Sequence, residues 1–123
     1  MKVIHSENVP AAVGPYSQAI VSGGLVFTSG QIALDPATGA IVGADVEAQA
    51  ERVMANLGAL LEAAGTDFKK AVKTTCFLAD MGDFAAFNAV YARYFTEKPA
   101  RSCVAVKTLP KNVLVEVEVI AEL

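Results

Sequence analysis

Residues 112–123 read NVLVEVEVIAEL. Val113, Val115, Val117, Val119 and Ala121 fall on one parity, and Leu114, Glu116, Glu118, Ile120 and Glu122 on the other. A period of two marks a β-strand, because successive side chains point to opposite faces of a sheet. The all-apolar parity predicts a face packed under other elements. The mixed parity predicts a face that is not core, since it would carry glutamates into apolar surroundings.

Two helices upstream can cover the apolar face. Val46, Ala50, Val53, Leu57, Leu60, Leu61 and Ala64 recur at spacings of three and four, the stripe of an amphipathic helix. Asp45 is placed to cap its start and Gly65 to end it. Gly58, inside the helix, costs roughly 1 kcal/mol against alanine and suggests close packing on the sheet. Phe84, Phe87, Val90, Tyr91, Tyr94 and Phe95 form a second helical stripe, with Asp83 as the expected cap and Pro99 beyond the end. Further strands are expected at Lys2–His5, at Ala19–Val21 and Leu25–Thr28 around a Ser-Gly-Gly hairpin turn, and at Val72–Leu78. Shorter extended pieces, Gln31–Leu34 and Ile41–Val42, flank the turn DPATG. The stretch PARSCVAV, 99–106, is one more strand, and it opens with an arginine. The order of strands, helix, strand, helix and two strands predicts an α+β fold, one domain over 1–123, with two helices on one face of a mixed sheet. The open face is then expected to hold Glu116 together with Arg101 and Cys103. An open face with apolar residues among a few charges suits contact between copies of the chain.

Composition narrows the function. The chain is 54% hydrophobic and 19% charged, apolar for 123 residues, which again suggests surface buried between subunits. No apolar run approaches the roughly 18 residues of a membrane span, and MKVIHSENVP lacks the apolar core of a secretory signal, so a cytoplasmic protein is expected. The net charge is −3 and the basic residues are scattered, with Lys69, Lys70 and Lys73 the densest group; nucleic-acid binding is disfavoured. One histidine, His5, and two cysteines, Cys76 and Cys103, in separate segments give no metal-ligand spacing, and nothing asks for a disulfide. The glycine pairs match no phosphate-binding loop.

Among the residues able to do chemistry, Arg101 stands first. A guanidinium forks onto a carboxylate and would select small acids. The plainer reading is a strand-end arginine paired with Glu116 or Glu118, or lying in solvent. Glu116 on a semi-buried face could activate a water. Glu118 shares its parity, so spacing does not choose between them. Cys103 has no base near it in sequence and reads as a packed small residue. Gly30 would let backbone approach a ligand closely, and Tyr16, in the loop GPYSQA, could line a site or simply pack.

Over nearly its whole length the sequence resembles the Rid family (RidA/YjgF). The matching blocks are GPYSQA at 14–19, FTSGQI at 27–32, NLGALLEAAG at 56–65, VKTTCFLADMGDFAAFN at 72–88 and PARSCVAVKTLPKNVLVEVEVIA at 99–121. The resemblance implies a chorismate-mutase-like α+β fold, and a homotrimer with ligand sites in clefts between subunits. It implies hydrolysis of reactive 2-imino acids, formed from enamines released by pyridoxal-phosphate enzymes, to 2-oxo acids and ammonia, with no cofactor. By position it makes Arg101 the grip on the substrate carboxylate and Glu116 the acid that positions water. Tyr16, Ser29 and Asn88 become pocket-lining groups, and Gly30 and Cys103 residues whose backbone meets the ligand. Three other readings stay open: a 2-oxo acid binding module without turnover, a ribonuclease, and a stress-activated holdase. The acidic charge and the single histidine weigh against the ribonuclease.

Overall fold

The computed structural model describes residues 1–123. Its strands are β1 (Lys2–Ile4), β2 (Ala19–Ser22), β3 (Leu25–Thr28), β4 (Ala71–Leu78), β5 (Ala100–Ala105) and β6 (Val115–Glu122); its helices are α1 (Val46–Ala64) and α2 (Phe84–Tyr94). They form one six-stranded sheet in the order β1-β2-β3-β6-β4-β5. All neighbours are antiparallel except β4 and β5, which α2 joins as a parallel pair. This is the mixed α+β architecture that the alternation and the two stripes predict. No helix is long and apolar enough to cross a membrane.

The last strand in sequence lies inside the sheet, between β3 and β4. Its valine parity is fully buried: Val115, Val117, Val119 and Ala121 are at most 1% exposed. Across the ladder Leu78, Cys76 and Thr74 stand opposite Val115, Val117 and Val119, so β4 extends the same apolar face. Val53, Met54, Leu57 and Leu61 of α1, with Phe87, Val90 and Tyr91 of α2, complete the core over it. Each large aliphatic or aromatic side chain buried there contributes roughly 1.5–3 kcal/mol against exposure. A smaller cluster, Ile4, Val9, Ala19, Val26 and Leu60, closes the β1 side.

The ends of α1 form as expected. Asp45 accepts a hydrogen bond from the Ala48 amide at 2.8 Å, and Gly65 takes the left-handed conformation with φ 88°. The hairpin turn places Gly23 and Gly24 at φ 60° and 77°, the pair of positive values a two-residue turn with the right twist requires. Two local expectations fail. Gly58 faces the ring of Phe68, 3.2 Å from where a Cβ would sit, so the close contact is with the turn after α1 rather than with the sheet. Asp83 occupies the first position before α2 but makes no capping bond; Asp80 accepts from the Gly82 amide instead, one 3-10 turn earlier. Two aspartates three apart compete for one helix entry, and the short turn between them gives the side-chain bond to the first.

The helix-free face stays uncovered within the chain. Ile20, Phe27 and Ile120 stand opposite one another across β2, β3 and β6, with Phe27 40% exposed. On β5, Val104 is 46% exposed.

Capping differs sharply between the two aspartates. Asp45→Ala should lower unfolding free energy by about 1 kcal/mol, the usual value of a lost cap, and Asp83→Ala by no more than about half of that. Urea unfolding at one fixed protein concentration measures both; equal losses would contradict the assignment.

Candidate functional site

Arg101 sits on the edge strand β5, and the register fixes its face. Thr74 is opposite Arg101 and Cys76 opposite Cys103, so both β5 side chains share the helix-covered face with the core residues of β4. Ser102 and Val104 stand opposite Thr75 and Phe77, which in turn stand opposite Glu118 and Glu116. The expectation that Arg101 and Cys103 share Glu116's face is therefore wrong. Alternation within β5 separates its two parities but does not say which one turns toward the helices; the parallel pairing with β4 does.

Around Arg101, α2 builds a cradle. Arg101 Nη1 donates to Asn88 Oδ1 at 2.7 Å, and the guanidinium carbon lies 4.7 Å from the Tyr91 ring centroid and 5.5 Å from that of Phe84. Asn88 and Tyr91 are three residues apart, hence on one side of the helix. Tyr91 is fixed in turn by a 2.7 Å hydrogen bond between its hydroxyl and Thr74 Oγ1. Aromatic faces stabilise the cation without neutralising it. No carboxylate reaches Arg101: the ion pairs of the chain are Glu51 with Arg93 and His5 with Glu7. Neither plain reading of Arg101 holds, since it is half-buried and has neither Glu116 nor Glu118 as partner. A cavity of about 330 Å³ opens beside it, lined also by Asn88, Tyr91, Phe95, Lys98 and Pro99.

Cys103 lies next along the same face. Burial pushes its thiol up, more than the neighbouring Arg101 pulls it down. Cys76, deeper, is pushed up to about 12, by burial first and by Cys103 second. Both thiols are protonated at neutral pH, which is poor preparation for nucleophilic attack. His5 is on the surface, 3.5 Å from Glu7, away from both cysteines' strands.

Glu116 occupies a second cavity, about 360 Å³, on the other face of β6, with Tyr16, Ser29, Gly30, Ile32 and Lys111 in its wall. Gly30 is shaped by that carboxylate. A Cβ at position 30 would lie 2.8 Å from Glu116 Cδ and closer still to Oε2. The glycine is needed for contact, not for a left-handed φ. Burial raises the Glu116 carboxyl above the ordinary carboxylate range, and Glu118 raises it further. Ser29 spends its hydroxyl proton on Ser17 O at 2.6 Å, which ties β3 to the loop holding Tyr16. Tyr16 itself is 52% exposed.

Two positioning residues escaped the sequence reading. Gln18, 3% exposed, accepts from the Ser6 amide and donates to the carbonyls of Ser6, Val9 and Pro10, which pins the loop before Tyr16. Asn56, 1% exposed, donates to the carbonyls of Ile32 and Leu34 from α1 and so holds the segment that follows Gly30. Neither had a local signal: Gln18 stands near the end of the mostly exposed GPYSQA, and both amides bind backbone carbonyls, which the sequence does not spell out.

Within one chain the structure gathers Arg101, Asn88 and Cys103 in one place and Tyr16, Ser29, Gly30 and Glu116 in another. The two groups are on opposite faces, and β4 lies between their strands. At about 4.8 Å per strand step, that alone separates the β5 and β6 backbones by about 10 Å.

The sequence profile of the family described as Endoribonuclease L-PSP matches residues 6–123. The chain is 56% identical to the RutC family protein slr0709 of Synechocystis over 100% of its length and 97% of the relative's. It is 52% identical to the 2-iminobutanoate/2-iminopropanoate deaminase of Salmonella typhimurium, covering 98% of the chain and 96% of that protein. The crystal structure of E. coli TdcF with bound serine superposes with a TM-score of 0.94 at 44% identity, covering 100% of this chain and 99% of that one. Profile, relatives and fold agree end to end, and the chain belongs to the L-PSP endoribonuclease family, the Rid/YjgF family that its sequence blocks resemble.

Proposed function

We propose that this protein hydrolyses 2-imino acids to 2-oxo acids and ammonia, in sites formed where the Arg101 cradle of one copy meets the Glu116 cavity of another. The observation that carries the reading is Arg101. It is a half-buried guanidinium, oriented by Asn88 and Tyr91, with no carboxylate of its own chain to answer it. A small carboxylic acid is the ligand that such a group lacks. The deaminase name of the Salmonella relative and the serine bound in TdcF, itself a small amino acid, point to the same ligand class.

The chemistry asks little of the site. The imine carbon is already electrophilic. The imine nitrogen takes a proton from water to give an iminium ion, a second water adds to that carbon, and the Glu116 carboxylate takes the proton this water releases. Glu116 then returns its proton to the carbinolamine nitrogen, the C–N bond breaks and ammonia leaves, and the hydroxyl proton passes to the Glu116 carboxylate and on to water as the C=O of the 2-oxo acid forms. One group serves as acid and base, and a carboxyl raised toward neutrality suits both roles. Every proton passes through Glu116 or water, so the steps call for neither metal nor cofactor. A homotrimer, with the Ile20–Phe27–Ile120 faces turned to one another, is the assembly proposed to bring the halves together.

Arg101→Ala should lower kcat/KM for imine hydrolysis roughly 10²-fold or more, as loss of a charge partner does; Arg101→Lys should restore part, because lysine does not fork. The assay is oxidase-generated imine trapped by semicarbazide, where an active protein suppresses semicarbazone. Full activity in Arg101→Ala overturns the site. If wild type suppresses no semicarbazone but binds 2-oxo acids, the protein is a binding module.

Glu116→Gln should lower kcat by about 10²–10⁴-fold and leave 2-oxo acid binding nearly unchanged. Wild-type activity that needs the base form should fall as pH drops through the raised Glu116 value, above the ordinary carboxylate range, and the variant should lack that limb. The same shift favours the protonated folded state. Its stabilising contribution is greatest below the unfolded value and is lost as pH rises through the folded one, so Glu116→Gln should be no less stable than wild type at neutral pH. Gly30→Ala should mimic the activity loss by displacing the Glu116 carboxylate.

Arg101→Ala and Glu116→Gln subunits unfolded together and reassembled should regain up to about a quarter of wild-type activity, since random pairing rebuilds that share of intact sites between copies. No recovery, where wild-type subunits carried through the same refolding regain full activity, would overturn a site shared between copies.

A further inference from the structure

The Arg101 cavity holds a second cation. Lys98 lines it together with Arg101, and none of its lining residues is acidic. Glu97, the neighbour of Lys98 in sequence, is not in the lining, and neither Lys98 nor Arg101 has an ion-pair partner in the chain. The placement of Lys98 is specific. It has φ 52° directly before Pro99, in a turn whose only backbone anchor is the Lys98 amide to the Phe95 carbonyl at 3.4 Å. A non-glycine residue at positive φ is uncommon, and a following proline disfavours helical conformations further. The turn after α2 thus puts an exposed lysine into the lining of the cavity.

Tyr91, Phe95 and Pro99 line the same cavity and give it apolar surface for a short carbon chain. The volume, about 330 Å³, is at the lower end of the roughly 300–1,000 Å³ of small-molecule pockets. A ligand with one carboxylate satisfies Arg101 and leaves Lys98 in water. A ligand with a second carboxylate on its side chain satisfies both.

We propose that Lys98 is a second anion position of this site, which selects 2-imino and 2-oxo acids bearing a side-chain carboxylate, the products of oxidising acidic amino acids. This rests on the reading of Arg101 as the grip on the first carboxylate. Asp or Glu imines would bind with C1 at Arg101 and the distal carboxylate at Lys98.

The test is calorimetric titration of 2-oxobutanoate and 2-oxoglutarate into wild type, Lys98→Asn and Arg101→Ala. Asparagine removes the charge while tolerating positive φ, so the turn is retained. Wild type should prefer 2-oxoglutarate, and Lys98→Asn should lose roughly two- to fivefold in affinity for it, the range of one solvent-exposed charge pair, with 2-oxobutanoate unchanged. The preference should shrink with added salt. If 2-oxobutanoate binds through Arg101 while Lys98→Asn leaves the 2-oxoglutarate affinity intact, the Lys98 position is overturned and the carboxylate grip stands. If wild type binds neither acid, or Arg101→Ala binds both as wild type does, the carboxylate grip falls and Lys98 with it.

Discussion

The pairing of β6 with β3 on one side and β4 on the other is the constraint on which the molecule depends. It makes the last strand central, so both of its faces have work to do. One parity, Val115 to Ala121, is the floor of the helical core. The other begins with Glu116 and meets Gly30 where Gln31 bridges Val117 through two backbone hydrogen bonds, at 2.9 and 3.1 Å. A slip of one residue would drive three glutamates under the helices and turn four core residues out. The observed register therefore fixes which face of β6 carries Glu116.

Arg101 is held by the complementary device. Its strand is an edge, but the parallel pairing with β4 ties it through α2, and α2 supplies Asn88 and Tyr91 to a side chain that the strand alone would leave loose. Thr74, buried in β4, locks Tyr91 from below. The guanidinium loses conformational freedom without losing its charge. That is the preparation a ligand-binding cation would need, because its ordering cost falls before any ligand arrives. Glu116 is prepared in the opposite sense: burial has made its charge costly.

How much of this was legible depends on whether a signal was local. The β6 alternation, the α1 stripe from Asp45 to Gly65 and the glycine turn at 23–24 are short-range patterns with one physical reading each, and each appears in the structure as read. The face of β5 was not local. Arg101 and Cys103 share a parity, but only the Cys76–Cys103 pairing says that this parity turns toward the helices. Asp83 looked like a cap because a 3-10 turn hidden before α2 gave the bond to Asp80. Gln18 and Asn56 stayed silent for a related reason: each bonds backbone carbonyls, and a carbonyl has no letter in the sequence. The resemblance supplied Arg101, Asn88, Glu116 and their companions as one set of residues. It could not show that a single chain divides them between two faces.

That division gives the proposed assembly its physical logic. Three features are costly or idle in an isolated chain: a half-buried arginine without a carboxylate, a carboxyl pushed toward its neutral form, and an apolar row across β2, β3 and β6 facing water. Each has its own local explanation, but one arrangement answers all three. Apolar sheet faces brought together lose their exposure, and the same approach carries one copy's cation toward another's acid. The driving force for the proposed association would be the uncovered Ile20, Phe27 and Ile120, and the chemistry would follow from where that association puts the polar groups at the margins. A site made this way needs no lid, because each subunit shields the other's half from bulk water. In the proposed assembly its specificity would reside in the cavity beside α2, where Arg101 would fix one end of the ligand and Lys98 would decide what the other end can be.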